Sequence, residues 1–403
     1  MGGCAIVVLV VAANAFDEDV HPEVRAYLEA RPPVVADALN GYLRIVALAG
    51  GAGDLPLPAV PQGNGDLCAM DAGTPCMREV RAEERAARER LAEHALLLQR
   101  YRQLPEYPLY REPPSPADAA ARLPAYLRLI AGQKLFHIQS ALRIDEGRAI
   151  QVAYDLERSL KFSRLMLAGS STLLGKMIAA AHARRAALFV SQMLPELARA
   201  DRKALARIAQ ALAPLTLAER SLVGAHRSEL ALFAAGLRFC EADKLGWHPY
   251  RLASCYFFQP NATLNRHYFT AHKLVVAMEK APTRCFEELR AALDLSSRAV
   301  PWWSILYNPV GKLRLGAGST PARSDHLARV QDVDALFRLV ALQALIGAAG
   351  IDGEEVPQFL ARNAKRYGDP YSGRAMGWDP ALRQLYFEPR GTGRVKRFSA
   401  GLL

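Results

Sequence analysis

Apolar positions follow two patterns along this chain. The first is a continuous run, Cys4 to Ala15 (CAIVVLVVAANA), which carries no charge and meets Phe16-Asp17-Glu18-Asp19 at once. The second is a recurrence at three- and four-residue spacing from about Glu79 to Ile346, the spacing that gathers apolar side chains on one stripe of a helix. It predicts a helix over Glu79–Leu98, with Glu84 and Arg88 paired at i,i+4 and Leu91, Leu96 and Leu98 thickening its apolar side. Ser115-Pro116-Ala117-Asp118 has the residues of a helix start, and Pro124 ends or kinks that short piece. Tyr126, Leu127, Ile130, Leu135, Ile138 and Leu142 mark the next helix, which Asp145-Glu146-Gly147 ends. Helices follow over Arg148–Ala168, Ser171–Leu197 and Asp201–Leu212, and another from the capping box Thr216-Leu217-Ala218-Glu219 to about Cys240. Turns this short make antiparallel neighbours.

Breaks divide the pattern. His21 to Leu48 is weakly helical, interrupted by Arg31-Pro32-Pro33, and Leu55 to Asp66 (LPLPAVPQGNGD) is a loop. Leu104 to Pro116 (LPEYPLYREPPSP) is a second break, taken as a boundary. Gly246 to Thr270 is aromatic, with helix resuming over Arg266–Glu279. Pro301-Trp302-Trp303 and Asn308-Pro309-Val310-Gly311-Lys312 read as a loop, Gly316–Ser324 as a flexible connection, and Ala322–Ile346 as the last helix. Asp369-Pro370-Tyr371-Ser372-Gly373 signals a turn. Ala375–Trp378 and Gln384–Glu388 read as two strands, with Leu385 and Phe387 on one face and Tyr386 on the other. The expected fold is mainly α, an irregular helical bundle or solenoid-like stack with a small C-terminal β-hairpin. Its segments are a signal or anchor (1–20), a helical and loop segment (21–110), a helical body (115–350) and a closing turn-and-hairpin segment (351–403). The helix pairs loosely resemble a tetratricopeptide-like solenoid, but no 34-residue self-similarity supports a repeat array.

The opening run is too short to cross a bilayer, which takes roughly 20 apolar residues, but fits a secretory core of about 7–15. Ala13-Asn14-Ala15 has the small-x-small form of a cleavage site, and no Lys or Arg occurs before Arg25. The run predicts export or anchoring, at a bacterial inner membrane facing the periplasm or in the periplasm. A buried N-terminal strand is the alternative. The chain carries 51 basic and 40 acidic residues, net +11. Phe16–Val80 holds ten acids against four bases, and Ala361–Leu403 nine bases against three acids. In an exported protein the basic end suits an anionic membrane surface rather than nucleic acid; a cytosolic nucleic-acid binder requires the opening run to be structural. Cys68 and Cys76, in a Gly- and Asp-rich stretch, are expected to form a disulfide worth about 2–4 kcal/mol. Cys240, Cys255 and Cys285 sit among apolar neighbours as buried residues, with one further pair allowed.

FDED after the apolar run, WWSILYNPVGK and GDPYSGRAMGWD together resemble a group of uncharacterised bacterial envelope proteins. The resemblance implies an N-terminal membrane segment, a helical exported body and a closing DP(Y/F)SG segment with a short hairpin. It implies no activity and transfers no catalytic residue.

Candidate chemistry is sparse. His248, His267 and His272 form the best cluster, but a five-residue spacing turns about 500° on an α-helix, and no HExxH is present. No metal or cofactor is expected. Ser170, Ser171 and Thr172 lack a GxSxG elbow and read as helix capping. Trp302 and Trp303 are candidate binding residues if exposed and loop anchors if buried. The favoured expectation is a helical protein, exported or anchored, that binds an envelope protein or peptide without catalysis. The alternative is an envelope hydrolase using the His248/His267/His272 region.

Overall fold

The computed structural model describes residues 10–30, 33–49, 67–68, 75–113, 126–240, 254–272, 275–276, 306–317, 321–391 and 396–402. The start of the apolar run with Cys4, the 55–66 loop, the Ser115 helix start, His248, Cys285, Trp302 and Trp303 lie outside them. The chain is mainly helical with a small C-terminal antiparallel sheet, as the spacing predicts.

After a helical turn at residues 10–13 come two short helices, α1 (Pro22–Glu29) and α2 (Gly41–Val46), capped by the side chains of His21 and Asn40. The predicted Glu79–Leu98 helix is three pieces: α3 (Cys76–Ala82), α4 (Glu84–Glu93) and α5 (Ala95–Gln103). Glu83 and His94 leave helical geometry at the joints, yet each N–H still reaches the carbonyl four residues back. The chain thus bends without losing these backbone bonds, and all three pieces lie against α6 (Tyr126–Asp145). Next come α7 (Ala149–Gly169), α8 (Leu173–Ala200) and α9 (Arg202–Ala211). Along α8, Ala179, Ala183, Ala186 and Ala187 are buried, and their small side chains let neighbouring helices approach closely.

The capping box at Thr216 is present, but its helix stops after one turn. α10 (Leu217–Arg220) ends because its Glu219 carbonyl accepts from Lys176 Nζ at 2.8 Å, while Ser221 turns extended and its hydroxyl accepts from Val223 N–H. Helix restarts as α11 (Val223–Gly236). α12 (Pro260–His267) continues into a π-helical turn, Tyr268–His272. Asn308-Pro309-Val310-Gly311-Lys312 is not a loop: Asn308 Oδ1 accepts from Gly311 N–H, and Pro309 opens α13 (Pro309–Ala317). An Asn cap before Pro at the first helical position starts a helix, although the same residue types also mark loops. Pro321–Ser324, read as part of a flexible connection, already belongs to α14 (Pro321–Ala349). α15 (Val356–Tyr367) then packs on α14.

The expected hairpin has a third strand. β1 (Gly377–Asp379), β2 (Gln384–Phe387) and β3 (Phe398–Gly401) pair antiparallel in chain order. Leu385 and Phe387 are buried on one face, as their alternation predicts. The DPYSG turn is held by Asp369, whose side chain accepts from Tyr371 N–H and Ser372 Oγ–H, and Tyr371 Oη–H reaches Asp332 and the Ala328 carbonyl on α14.

One apolar cluster joins residues of the 21–110 segment, the body and the sheet, among them Ile45, Leu97, Phe162, Phe189, Phe337 and Leu385. A second gathers Val24, Tyr27, Leu230, Leu237, Phe258, Leu264 and Tyr268. Residues 14–23 run along this second cluster as a strap. Asp17 accepts from Asn261 and Ala262 N–H at the start of α12, and Asn265 and Tyr268 reach back to Glu18, Asp19 and Glu23. Asn14 is buried: its Nδ2 donates to the Leu306 carbonyl, its Oδ1 accepts from Asn308 N–H, and its carbonyl accepts from Gln259 Nε2. The described end of the apolar run, residues 10–13, is helical and residues 11–13 are exposed, so the buried-strand alternative fails there. Among the described residues no helix is long and apolar enough to cross a membrane.

Candidate functional site

Cys68 and Cys76 form the expected disulfide, and Cys240 pairs with Cys255 rather than lying buried as a free thiol. Ser170–Thr172 do cap a helix. Thr172 Oγ1 accepts from Gly175 N–H at the start of α8. Beside it the buried carboxylate of Glu112 accepts from Ser171 N–H, Thr172 N–H, Thr172 Oγ–H and Tyr126 Oη–H.

His267 and His272 come together after all, with ring centroids 5.1 Å apart, and His226 of α11 lies 5.4 Å from His272. A turn of about 500° holds for α-helical winding, whereas the π-helical turn here adds residues per turn and brings positions five apart onto one side. The rings meet edge to face, and no group of three His, Cys, Asp or Glu among the described residues has the geometry to hold a metal ion.

The larger candidate was not singled out in the sequence. A cavity of about 530 Å³ opens between α4 and α5 on one side and α6 and α7 on the other. Leu91, Ala92, Ala95 and Leu98 form an apolar shelf, and Gln99, Gln103 and Gln139 supply amides. Charges come from Arg102, Arg158, Asp155 and Glu106. Asp155 is 9 % exposed and accepts from Arg102 and Arg143 at 3.2 and 3.1 Å, with Gln151 Nε2 at 3.3 Å. Burial lowers the pKa of Arg143, with Arg102 adding to it. Arg158 faces Glu106 at 3.7 Å, both partly exposed. The four lining charges balance, and Arg143, which pairs with Asp155 without lining the cavity, adds one positive charge there.

The far wall of the cavity is Tyr101, Phe136 and Ser159, and behind it runs a buried relay. Tyr101 Oη lies 2.8 Å from His182 Nε2, and His182 Nδ1 lies 3.0 Å from Ser163 Oγ. Ser163 donates its hydroxyl proton to the Ser159 carbonyl, and Gln133 Nε2 donates to the carbonyl of His182. With the Ser163 proton committed, Nδ1–H must donate to Ser163 and Nε2 must accept from Tyr101; this network assigns the tautomer. Burial, reinforced by Arg185, drives the His182 pKa down to about 3, and burial raises that of Tyr101. At neutral pH every member of the relay is uncharged. A base this weak takes no proton from a nucleophile, and Ser163 is itself pinned to a carbonyl. The arrangement suits a rigid polar wall for binding better than proton transfer.

Parts of the basic C-terminal region are engaged within the fold. Arg397 lies over Tyr386 and bonds Asp379, Arg390 lies over Tyr371, and Arg366 over Tyr367. The fold and the cavity therefore define a helical protein with a polar cleft and a small closing sheet. No protein-family model matches the chain, and neither a curated protein nor a solved structure matches it.

Proposed function

We propose that this is an exported or membrane-anchored helical protein, at the inner membrane facing the periplasm or in the periplasm, that keeps its N-terminal segment and binds an envelope protein or peptide without catalysing a reaction on it. The observation that carries the binding reading is the 530 Å³ cavity. Its amides, Arg102, Arg158 and apolar shelf suit a polypeptide, while the relay behind it is locked neutral. Two disulfides support an oxidising compartment. The burial of Asn14 supports retention, because a cut after Ala15 removes a residue that ties 259, 306 and 308 together. The basic C-terminal region suits contact with an anionic membrane surface.

A photo-crosslinking residue at Gln103 in the full chain should capture a discrete envelope polypeptide that the same residue at Arg362 on α15 does not. Equal capture at both positions, or none at Gln103, rejects the cavity as the binding site. A fusion of residues 1–30 to an export reporter should give periplasmic signal; cytoplasmic activity rejects the localisation.

One observation favours a second reading, an envelope hydrolase: a π-helical turn that gathers His267 and His272 with His226, since such turns frequently mark functional sites. Under that reading His267→Ala abolishes a measurable hydrolysis of an envelope substrate.

A further inference from the structure

A second pocket, of about 250 Å³, opens where α8 and α14 meet the C-terminal sheet. Its walls are mostly apolar: Met177, Ala180 and Ala181 from α8, Val333 from α14, then Pro389 and Phe398. Three charged residues also line it, and two of them are engaged. Asp332 accepts from Tyr371 Oη–H at 2.6 Å and from the N–H groups of Arg390 and Gly391 at 3.0 Å. Arg329 is paired with Asp325 at 2.7 Å.

Arg184 is the third. Its guanidinium carbon lies 5.1 Å from the Phe398 ring centroid. Its Nε–H is shielded from solvent and meets no acceptor; the Asp332 carboxylate in the same pocket feels its charge but lies beyond ion-pair distance, its own oxygens held by Tyr371, Arg390 and Gly391. A shielded guanidinium donor without an acceptor is a cost that an anionic occupant removes. The apolar walls in turn exclude a small, fully hydrated ion such as phosphate and favour an anion that carries a hydrocarbon part. At about 30 Å³ for each water-sized unit, the space takes on the order of eight non-hydrogen atoms.

We propose that this pocket binds a small amphiphilic monocarboxylate, its carboxylate on Arg184 and its hydrocarbon tail between α8, Val333 and Phe398. The proposal does not depend on the larger cavity. The DPYSG segment gains a role by it, since Tyr371 holds Asp332 and the Arg390-Gly391 backbone in place at one side of the pocket.

Calorimetric titration of the full chain with sodium hexanoate tests it, with hexan-1-ol and inorganic phosphate as controls. Hexanoate should bind saturably at one site, with hexan-1-ol and phosphate weaker by at least about tenfold, the ratio that separates charge-assisted from neutral pairing. Arg184→Gln should lose at least about tenfold in hexanoate affinity. Ala181→Met keeps Arg184 but fills the chamber, and should lose as much. Circular dichroism and thermal midpoints of both variants establish that they are folded. Gln99→Trp, which fills the larger cavity, should leave hexanoate binding unchanged. Absence of saturable hexanoate binding overturns the proposal. So does phosphate binding as tight as hexanoate, unaltered affinity in either folded pocket variant, or a loss seen only with Gln99→Trp.

Discussion

Gly175, three residues after the Thr172 cap of α8, is the most sharply testable position in the chain. A Cβ built there would stand 2.2 Å from Glu112 Oε2 and 2.6 Å from Oε1. Local relaxation offers no escape, because Glu112 is 3 % exposed and its carboxylate is held by four donors. Hydrogen bonds to a charged group contribute about 1.5–3 kcal/mol each, so displacing the carboxylate from two donors costs about 3–6 kcal/mol. Alanine in place of glycine in a helix returns at most about 1 kcal/mol. Gly175→Ala should therefore destabilise the protein by about 2–5 kcal/mol. In a Glu112→Ala background the obstruction is gone, and the same substitution should be neutral or stabilising by up to about 1 kcal/mol. Urea unfolding of the four proteins, read as midpoint shifts at constant m, closes the cycle. A coupling energy near 3 kcal/mol is expected, large for a contacting pair. Equal costs of Gly175→Ala in both backgrounds would show that the carboxylate does not occupy this place, and the reasoning fails.

Four further outcomes follow from the same geometry. His182 is held neutral by burial with a pKa near 3 against an ordinary value of 6.5, so the unfolded chain binds the proton first as pH falls. That contribution to stability is whole above about pH 6.5 and is lost progressively down to about pH 3. Between pH 6.5 and 4.5 the wild type should lose roughly 2–3 kcal/mol more than His182→Gln, at about 1.4 kcal/mol per pH unit; parallel curves contradict this. Thiol labelling of the unreduced protein should spare Cys68, Cys76, Cys240 and Cys255, and ready labelling of either pair rejects that bridge. Replacing Cys240 and Cys255 together by Ser should cost about 3 kcal/mol in unfolding free energy, the loop-closure value for this separation. Asn14→Ala should raise amide exchange over 256–266 and 306–312 while leaving α7 and α8 protected; under the proposed export the mature protein should retain Asn14 by intact mass, and a mature chain beginning after Ala15 would falsify retention.

The long helices were legible because their sequences satisfy several local rules together. α6, α7 and α9 combine apolar spacing with turn residues such as Asp145-Glu146-Gly147 and Pro214, and the structure places their ends within a residue or two. The failures lie where a distant partner takes over a local hydrogen bond. Nothing near Thr216 announces that Lys176 claims the Glu219 carbonyl and ends α10. β3 escaped notice because Ser399, Ala400 and Gly401 carry little strand preference; its register comes from β2. The cavity was invisible for a related reason, since Tyr101, Ser159, Ser163 and His182 come from three helices and share no spacing. A weaker signal was present. Gln133, His137, Ser159, Ser163 and His182 interrupt otherwise apolar buried faces, and polar residues in such places need partners.

The strap shows why the opening segment carried two meanings at once. An acidic block after an apolar run reads as the exported flank of a leader, yet Asp17 here serves first-turn N–H groups of α12 that have no partner within the helix, where a negative charge also meets the positive end of the helix. The same residues thus satisfy a topological rule and a folding rule. Asn14 extends that overlap into the suspected cleavage motif. Its small neighbours Ala13 and Ala15 suit a peptidase, but its side chain and carbonyl close a buried polar network with Gln259, Thr263 and Asn308. Such a network is stabilising only while complete, because each orphaned buried donor or acceptor costs about 1–3 kcal/mol. The second apolar cluster is small, and α1, which follows the strap, adds Val24 and Tyr27 to it. Removing Asn14 would strip that cluster of its polar lock. The geometry therefore makes residues 14–23 part of the fold, and under the proposed export the segment that carries them stays attached.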